Sequence, residues 1–334
     1  MLRLGYKASA EQFAPGDLLG FAELAEQLGF DSVFISDHFQ PWRHTGGHGP
    51  FSIAWLGALG ARTKRIAIGT SVLAPTFRYH PSVIAQAFGT LGAMFPNRVI
   101  LGVGSGESLN EVPATAMHWP EPKERTARLK ESLTLIRKLW SEERVSFEGQ
   151  YYRTEKATIY DRPEHRVPIY IAGAGPLISQ YAGQFGDGFI CTSGKAPQLY
   201  RDTLLPNVAA GVAASGRTAD DVDMMIEMKV SFDSDRPRAM DDTRYWAALA
   251  LSAEEKVSVD DPLEMERLAD QLSAERAAKR WIVSTDPDEH VEKIRPYVEL
   301  GFRHLVFHAP GPDQARFLKL YAQQVLPRLR AAFA

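Results

Sequence analysis

The sequence predicts an α/β protein, a (β/α)8 TIM barrel, and three observations carry that expectation. Short runs of strand-forming residues alternate with helical patterns along most of the 334 residues. The strand runs are close to continuously apolar, as strands covered on both faces of a parallel sheet must be. Eight such runs occur in the chain, the number with which a parallel barrel closes.

LRLGYKA opens the series as the first strand, and DLLGFAELAEQLG follows as its helix, with Leu18, Phe21, Ala22, Ala25 and Leu28 on one face at helical spacing. DSVFIS is followed by FSIAWLGALGART, RIAIGTSVL by SVIAQAFGTLGAMF, and RVILGVG by RTARLKESLTLIRKLW. VPIYIAG leads into LISQYAGQFG, where Pro176 suits a first helical position, and GFICTS into LYRDTLLPNVAAGVAA. MMIEMKVSF is the seventh strand and HLVFHA the eighth, before a closing helix. Two insertions interrupt what reads as one domain over residues 1–334. The first, at about 141–166, contains SFEGQYYRTEKATIY, whose alternating aromatic and polar residues predict a hairpin. The second, at about 233–280, is charged and helical and predicts a lid. WIVSTDPDEHVEKI after it reads as a return into the seventh helix, with Thr285 or Asp286 as its cap.

Composition narrows the function. With 45% hydrophobic residues the chain can bury a large core, and its net charge of -3 offers no basic field to a polyanion. No nucleic-acid partner is expected, and any anion must be held by a local cluster. The one cysteine, Cys191, excludes an internal disulfide and any multi-cysteine metal site, which fits a reducing, cytoplasmic location. No apolar run is long enough to span a bilayer, so no membrane partner is expected.

Barrel enzymes carry their chemistry at the carboxyl ends of the strands, so the polar residues just after each strand are the candidates. After the first strand comes Glu11; after the second, SDHFQPWRHTGGH with Asp37, His38 and Trp42. A metal site built from His38, His44 and His48 would lie in a single glycine-containing loop without companion ligands at other strand ends, so no metal is expected. After the third strand the candidates lie between Ser71 and Thr76; after the fourth, Ser105, Gly106, Glu107 and Asn110. GVGSGE lacks the spacing and the position of a dinucleotide fingerprint, but its small residues let a ligand approach the backbone. In IAGAGPLISQ a glycine turn exposes the amides of Leu177 and Ile178 at a helix start, where an anion fits. Thr192 and Lys195 follow the sixth strand, and Lys256 and Arg280 of the second insertion are candidates to fold over the barrel mouth.

Taken together, LRLGYKASAEQFAP, SDHFQPWRHTGGH, GTSVLAPTFRYHP, LGVGSGESLNE, GDGFICTSGK and RWIVSTDPDE…HLVFHAPG resemble the coenzyme F420-dependent glucose-6-phosphate dehydrogenases of the luciferase-like TIM-barrel superfamily, over essentially the whole chain. The resemblance implies an oxidoreductase that transfers hydride from the anomeric carbon of glucose 6-phosphate to coenzyme F420, an 8-hydroxy-5-deazaflavin. It implies His38, Trp42, Glu107 and Glu11 around the reacting centre, with either His38 or Glu11 as the base. Asp37, Ser71, Val72, Ala74, Ser105, Gly106, Asn110, Ala174, Gly175, Leu177 and Ile178 would hold the cofactor, and Thr192, Lys195, Lys256 and Arg280 the sugar phosphate. It further implies a non-proline cis peptide at Ser71–Val72 and a homodimer. One departure is Ala74, where the family often has threonine. The segment from Val112 to Trp119 differs as well, which leaves other hexose 6-phosphates open as substrates. A luciferase-like flavin monooxygenase is the remaining alternative on the same fold.

Overall fold

The computed structural model describes residues 2–252, 254–256 and 259–333. Its centre is a closed parallel barrel of β1 (Arg3–Ala8), β2 (Ser32–Ile35), β3 (Ala67–Thr70), β4 (Val99–Val103), β5 (Ile169–Ala172), β6 (Gly188–Thr192), β7 (Asp223–Phe232) and β8 (His304–His308). The strands pair in chain order, and β8 closes the ring between β7 and β1. These are the eight runs expected, with helices Pro15–Gln27, Ser52–Arg62, Pro81–Met94, Pro122–Ser141, Pro176–Phe185 and Pro287–Glu299 between them. The barrel closes because apolar residues on its outer face, such as Leu4, Tyr6, Val33, Ile35, Leu101 and Ile171, pack against the helices in one continuous core.

The alternate residues of each strand face inward and sort by height. At the bottom, Asp223 of β7 accepts from Tyr170 Oη at 2.6 Å, lies 3.1 Å from His304 Nδ1 and pairs with Arg3. A dry layer of Phe34, Ile100, Ile190, Met225 and Val306 lies above it. Above that layer the inward residues are polar again: Lys7, Ser36, Thr192, Glu227, Lys229 and His308 line the barrel mouth. The apolar layer is thus a plug that holds the site at one end.

Residues 141–166 contain the expected antiparallel hairpin, Val145–Glu148 with Arg153–Ala157. The second insertion is helical, with Pro262–Ala269 as the longest α-helix among its described residues, and three of its residues (253, 257 and 258) lie outside the described set. The segment after it corrects the sequence reading. Ile282–Ser284 does not enter a helix directly but adds a short parallel strand to the outer half of β7, opposite Val230–Phe232. β7 runs ten residues, past the end of β6, so its outer ladder groups need this partner. The helix starts at Pro287, and Asp286, not Thr285, caps it by accepting from the amides of Asp288 and Glu289. A helix at Ser108–Thr115, with Pro113 inside it, also went unread because a proline argues against a helix interior.

β3 and β4 are in ladder register only at Ile68–Val99 and Gly69–Ile100. Beyond that, Thr70 Oγ1 donates to the Gly102 carbonyl at 2.7 Å and accepts from its amide at 3.1 Å. The chain then passes through a cis Ser71–Val72 peptide, as the resemblance implied, and rejoins β4 through Leu73. The close approach requires glycine at 102, where a Cβ would stand 1.8 Å from the Thr70 carbonyl oxygen. Gly102→Ala is therefore expected to cost about 1–3 kcal/mol or more, because the obstacle is backbone with no rotamer to yield. Urea unfolding of the variant checks this through a lower midpoint at unchanged slope.

Candidate functional site

The mouth of the barrel opens into a cavity of about 820 Å³. Glu11, Asp37, His38, Trp42, Glu107 and Asn110 line one side, from the loops after β1, β2 and β4. Ser71, Val72, Ala74, Ser105 and Gly106 form its back wall, and Ala174, Gly175, Leu177 and Ile178 its edge beyond β5. Thr192 lines it after β6, whereas Lys195, Lys256 and Arg280 sit just outside the lining. His44 is exposed, and no group of three or more histidine, cysteine or acidic side chains among the described residues is arranged around a metal position.

His38 stands between two carboxylates. Its Nε2 is 3.3 Å from Glu11 Oε1 and 3.8 Å from Glu107 Oε2, while Nδ1 is 3.1 Å from the Gln40 carbonyl. A carbonyl only accepts, so Nδ1 carries a proton, and Nε2 is the ring nitrogen that faces the two carboxylates. Glu11 is buried, which opposes its charge, but His38 and Lys7 together with a hydrogen bond from Ser36 hold its carboxyl below the usual range. Its Oε2 is buried without a hydrogen-bond partner among the described residues. Trp42 packs beside the imidazole at 5.9 Å between ring centroids.

Asp37 lines the cavity and its carboxylate is also held by neighbouring side chains. Ser52 Oγ donates to its Oδ1 at 2.6 Å, and Tyr79 Oη and Arg78 donate to its Oδ2 at 2.8 and 2.9 Å. Arg78 continues to Glu111, and Asn110 Oδ1 accepts from the amides of Phe39 and Gln40. Asp37 and Asn110 thus tie the loop that carries His38 to the loops after β3 and β4. Arg78 and Glu111 were not singled out from sequence, since an arginine before a tyrosine and an acid inside a short helix carry no spacing signal.

The deep wall was also missed. Glu227 accepts from Lys229 Nζ at 2.6 Å and faces Lys7 Nζ at 3.6 Å and His308 Nδ1 at 3.3 Å. Burial alone would neutralise this carboxyl, but Lys229, Lys7 and His308 hold it ionised, well below the usual carboxylate range. A signal existed: Glu227 and Lys229 are charges at alternate positions of an otherwise apolar strand, and so share its inner face.

The predicted cations converge from three parts of the chain. Arg280 Nη2 donates to the Ser193 carbonyl at 3.3 Å, and its buried Nε has no partner among the described residues. Lys256 Nζ lies 4.8 Å above the Trp42 ring. Burial, partly offset by Glu107, pushes the Lys256 ammonium down to about 8, and the charges of Lys195, Arg280 and Lys229 add to the shift. Burial, Arg280 and Lys229 likewise depress Lys195. Mutual repulsion of this kind marks a cluster short of negative charge, which a bound dianion would relieve.

Residues 2–304 match the family model described as luciferase-like monooxygenase. The chain is 68% identical to an F420-dependent glucose-6-phosphate dehydrogenase of Nakamurella multipartita, over 99% of this chain and 97% of that one. It is 59% identical to the protein of the same name from Mycolicibacterium smegmatis, over 98% of each. Among solved structures, an F420-dependent secondary alcohol dehydrogenase in complex with an F420-acetone adduct superposes with a TM-score of 0.93 at 32% identity, covering 98% of this chain and 99% of that one. The coenzyme F420-dependent tetrahydromethanopterin reductase of Methanopyrus kandleri shares the fold, with a TM-score of 0.81 at 20% identity. By the matched family model and by full-length identity, the chain belongs to the luciferase-like family and, within it, to the F420-dependent glucose-6-phosphate dehydrogenases.

Proposed function

We propose that the protein oxidises glucose 6-phosphate to 6-phosphogluconolactone with coenzyme F420 as hydride acceptor. The observation that carries this reading is a cavity with a histidine between two carboxylates and, beside its mouth beyond Trp42, a cluster of cations that repel one another. The walls suit a deazaflavin. Gly104 leaves room beside Val72, where a Cβ would come within 2.8 Å of the valine, and Gly106 does the same against Trp119 and Phe77. The helix from Pro176 starts at Gly175 with no side chain capping its amides, so its N-terminus can receive a phosphodiester. The large apolar share of the lining suits a fused ring. Bound there, the deazaflavin supplies two-electron hydride acceptance.

The chain's own residues supply the rest. Nε2 of neutral His38 takes the proton of the anomeric hydroxyl, and Glu11 and Glu107 stabilise the imidazolium that forms. Glu11 is held ionised, which suits it to that electrostatic role more than to donating a proton. Trp42 covers the reacting centre. Thr192, Lys195, Lys256 and Arg280 hold the phosphate at the far end, turning its binding energy into orientation of the anomeric carbon. Asp37, Asn110 and the Ser105–Gly106 backbone would hold the deazaflavin, and Asp37 and Asn110 also fix the loop that carries His38. Ala74 offers only its backbone there. The same reading includes a cytoplasmic homodimer with residues 1–334 as one domain; among the described residues no helix is long and apolar enough to cross a membrane.

Mixing the protein with coenzyme F420 and a panel of hexose phosphates tests the proposal through loss of the oxidised deazaflavin absorbance. Glucose 6-phosphate is expected to react best or among the best and free glucose very poorly; turnover with flavin and dioxygen instead would favour the monooxygenase alternative. His38→Ala should reduce turnover by about two to four powers of ten while leaving deazaflavin affinity intact. Near-normal turnover would move the base role to Glu11. The KM for glucose 6-phosphate should rise as pH passes about 8, where free Lys256 loses its proton and the cluster loses a positive charge. Lys256→Arg, which stays protonated, should flatten that rise.

A further inference from the structure

The loop after β2 and the second insertion meet at a polar contact that the chemistry above does not use. Arg43, next to Trp42, reaches two carboxylates of the Pro262–Ala269 helix and its C-cap. Its Nη1 and Nη2 donate to Asp270 at 2.6 and 3.2 Å, and Nη2 is 2.9 Å from Glu266 Oε1. The second oxygen of Glu266 accepts from the Thr45 amide at 2.7 Å. An isolated surface ion pair contributes little, but here a guanidinium fork, two carboxylates and a backbone donor close one network. Arg43 and Glu266 are largely covered, with side-chain exposures of 21% and 10%.

The clamp brackets two site residues. Lys256 lies a few residues before the clamped helix and has its ammonium over Trp42, and Trp42 in turn packs against His38. Trp42 also seats among the insertion's own apolar residues, including Met265, Ala269 and Ala277. The only cationic group of the cluster carried by the middle of the insertion is therefore located through the insertion's attachment to the β2 loop.

We propose that Arg43 is a positioning residue: by clamping Glu266 and Asp270 to the loop after β2, it sets Lys256 against Trp42 at the sugar-phosphate end of the cavity. This rests on the functional reading above. The ligand affected is the phosphate-bearing substrate, while the deazaflavin wall on the far side of His38 stays as it is.

The test is a double-mutant cycle of Arg43→Gln and Lys256→Ala, read by calorimetric titration with glucose 6-phosphate and by deazaflavin fluorescence titration. Arg43→Gln should weaken sugar-phosphate binding about tenfold, the scale of one well-placed charged contact, and change deazaflavin affinity by less than about twofold. In the Lys256→Ala background the same substitution should add almost nothing, since the group it positions is gone. Arg43→Lys should recover part of the loss. A merely structural clamp would lower the melting temperature and leave sugar-phosphate affinity unchanged, or would act by the same factor with and without Lys256; either result overturns the proposal. If Arg43→Gln does not fold, the cycle is run with Glu266→Gln and decided by the same criterion. A wild-type protein that binds no sugar phosphate would instead overturn the functional reading beneath it.

Discussion

Closure of eight parallel strands into a ring imposes the constraint on which the rest of the molecule depends. Once the ring closes, every second residue of each strand must face either the helices or the axis, and the axis is too narrow for water. Polar inward residues are then tolerated only in layers that satisfy one another. The Asp223 group at the bottom and the Glu227 group at the top are such layers, separated by Phe34, Ile100, Ile190, Met225 and Val306. The upper layer forms the deep wall of the cavity, so the packing that closes the barrel also places charge under the site.

The electrostatics of the mouth follow from how those charges are shared. Two lysines, Lys7 and Lys229, face one carboxylate, Glu227, and leave the deep wall with an excess of positive charge. Lys195, Lys256 and Arg280 extend that excess outward, and burial, with their mutual repulsion behind it, lowers the lysine ammonium groups. Glu11 and Glu107, which flank His38, in turn interact with Lys7 and Lys256, so that acidic and basic groups alternate around the mouth.

The loop SDHFQPWRHTGGH draws its order from three directions. Asp37 is held by Ser52, Arg78 and Tyr79, the amides of Phe39 and Gln40 by Asn110, and Arg43 and Thr45 by the second insertion. The Tyr245 hydroxyl lies 3.0 Å from the Glu11 carbonyl and 3.2 Å from the Gly46 carbonyl and shares its one proton between them. Most polar residues of the loop serve to fix it, so that His38 and Trp42 are presented rigidly.

The sequence by itself determined the eight strands, the helices between them and the end of the barrel that carries polar residues, because each depends on local periodicity and on where apolar runs stop. It also determined the family, through motifs whose order and spacing extend over the whole chain. Only the tertiary structure decided how partners distant in the chain are used. Asp37 stands out in sequence as a polar residue at a strand end, but its partners Ser52, Arg78 and Tyr79 do not, because that pairing depends on how three loops meet. The short strand Ile282–Ser284 was hidden for the same reason, since its partner is the overhang of β7 some fifty residues earlier. Whether Lys195, Lys256 and Arg280 act together, and what Arg43 clamps, depends on the folding of the second insertion over the β2 loop. Local pattern cannot encode that contact, because it is made by side chains whose only regularity is their position in space.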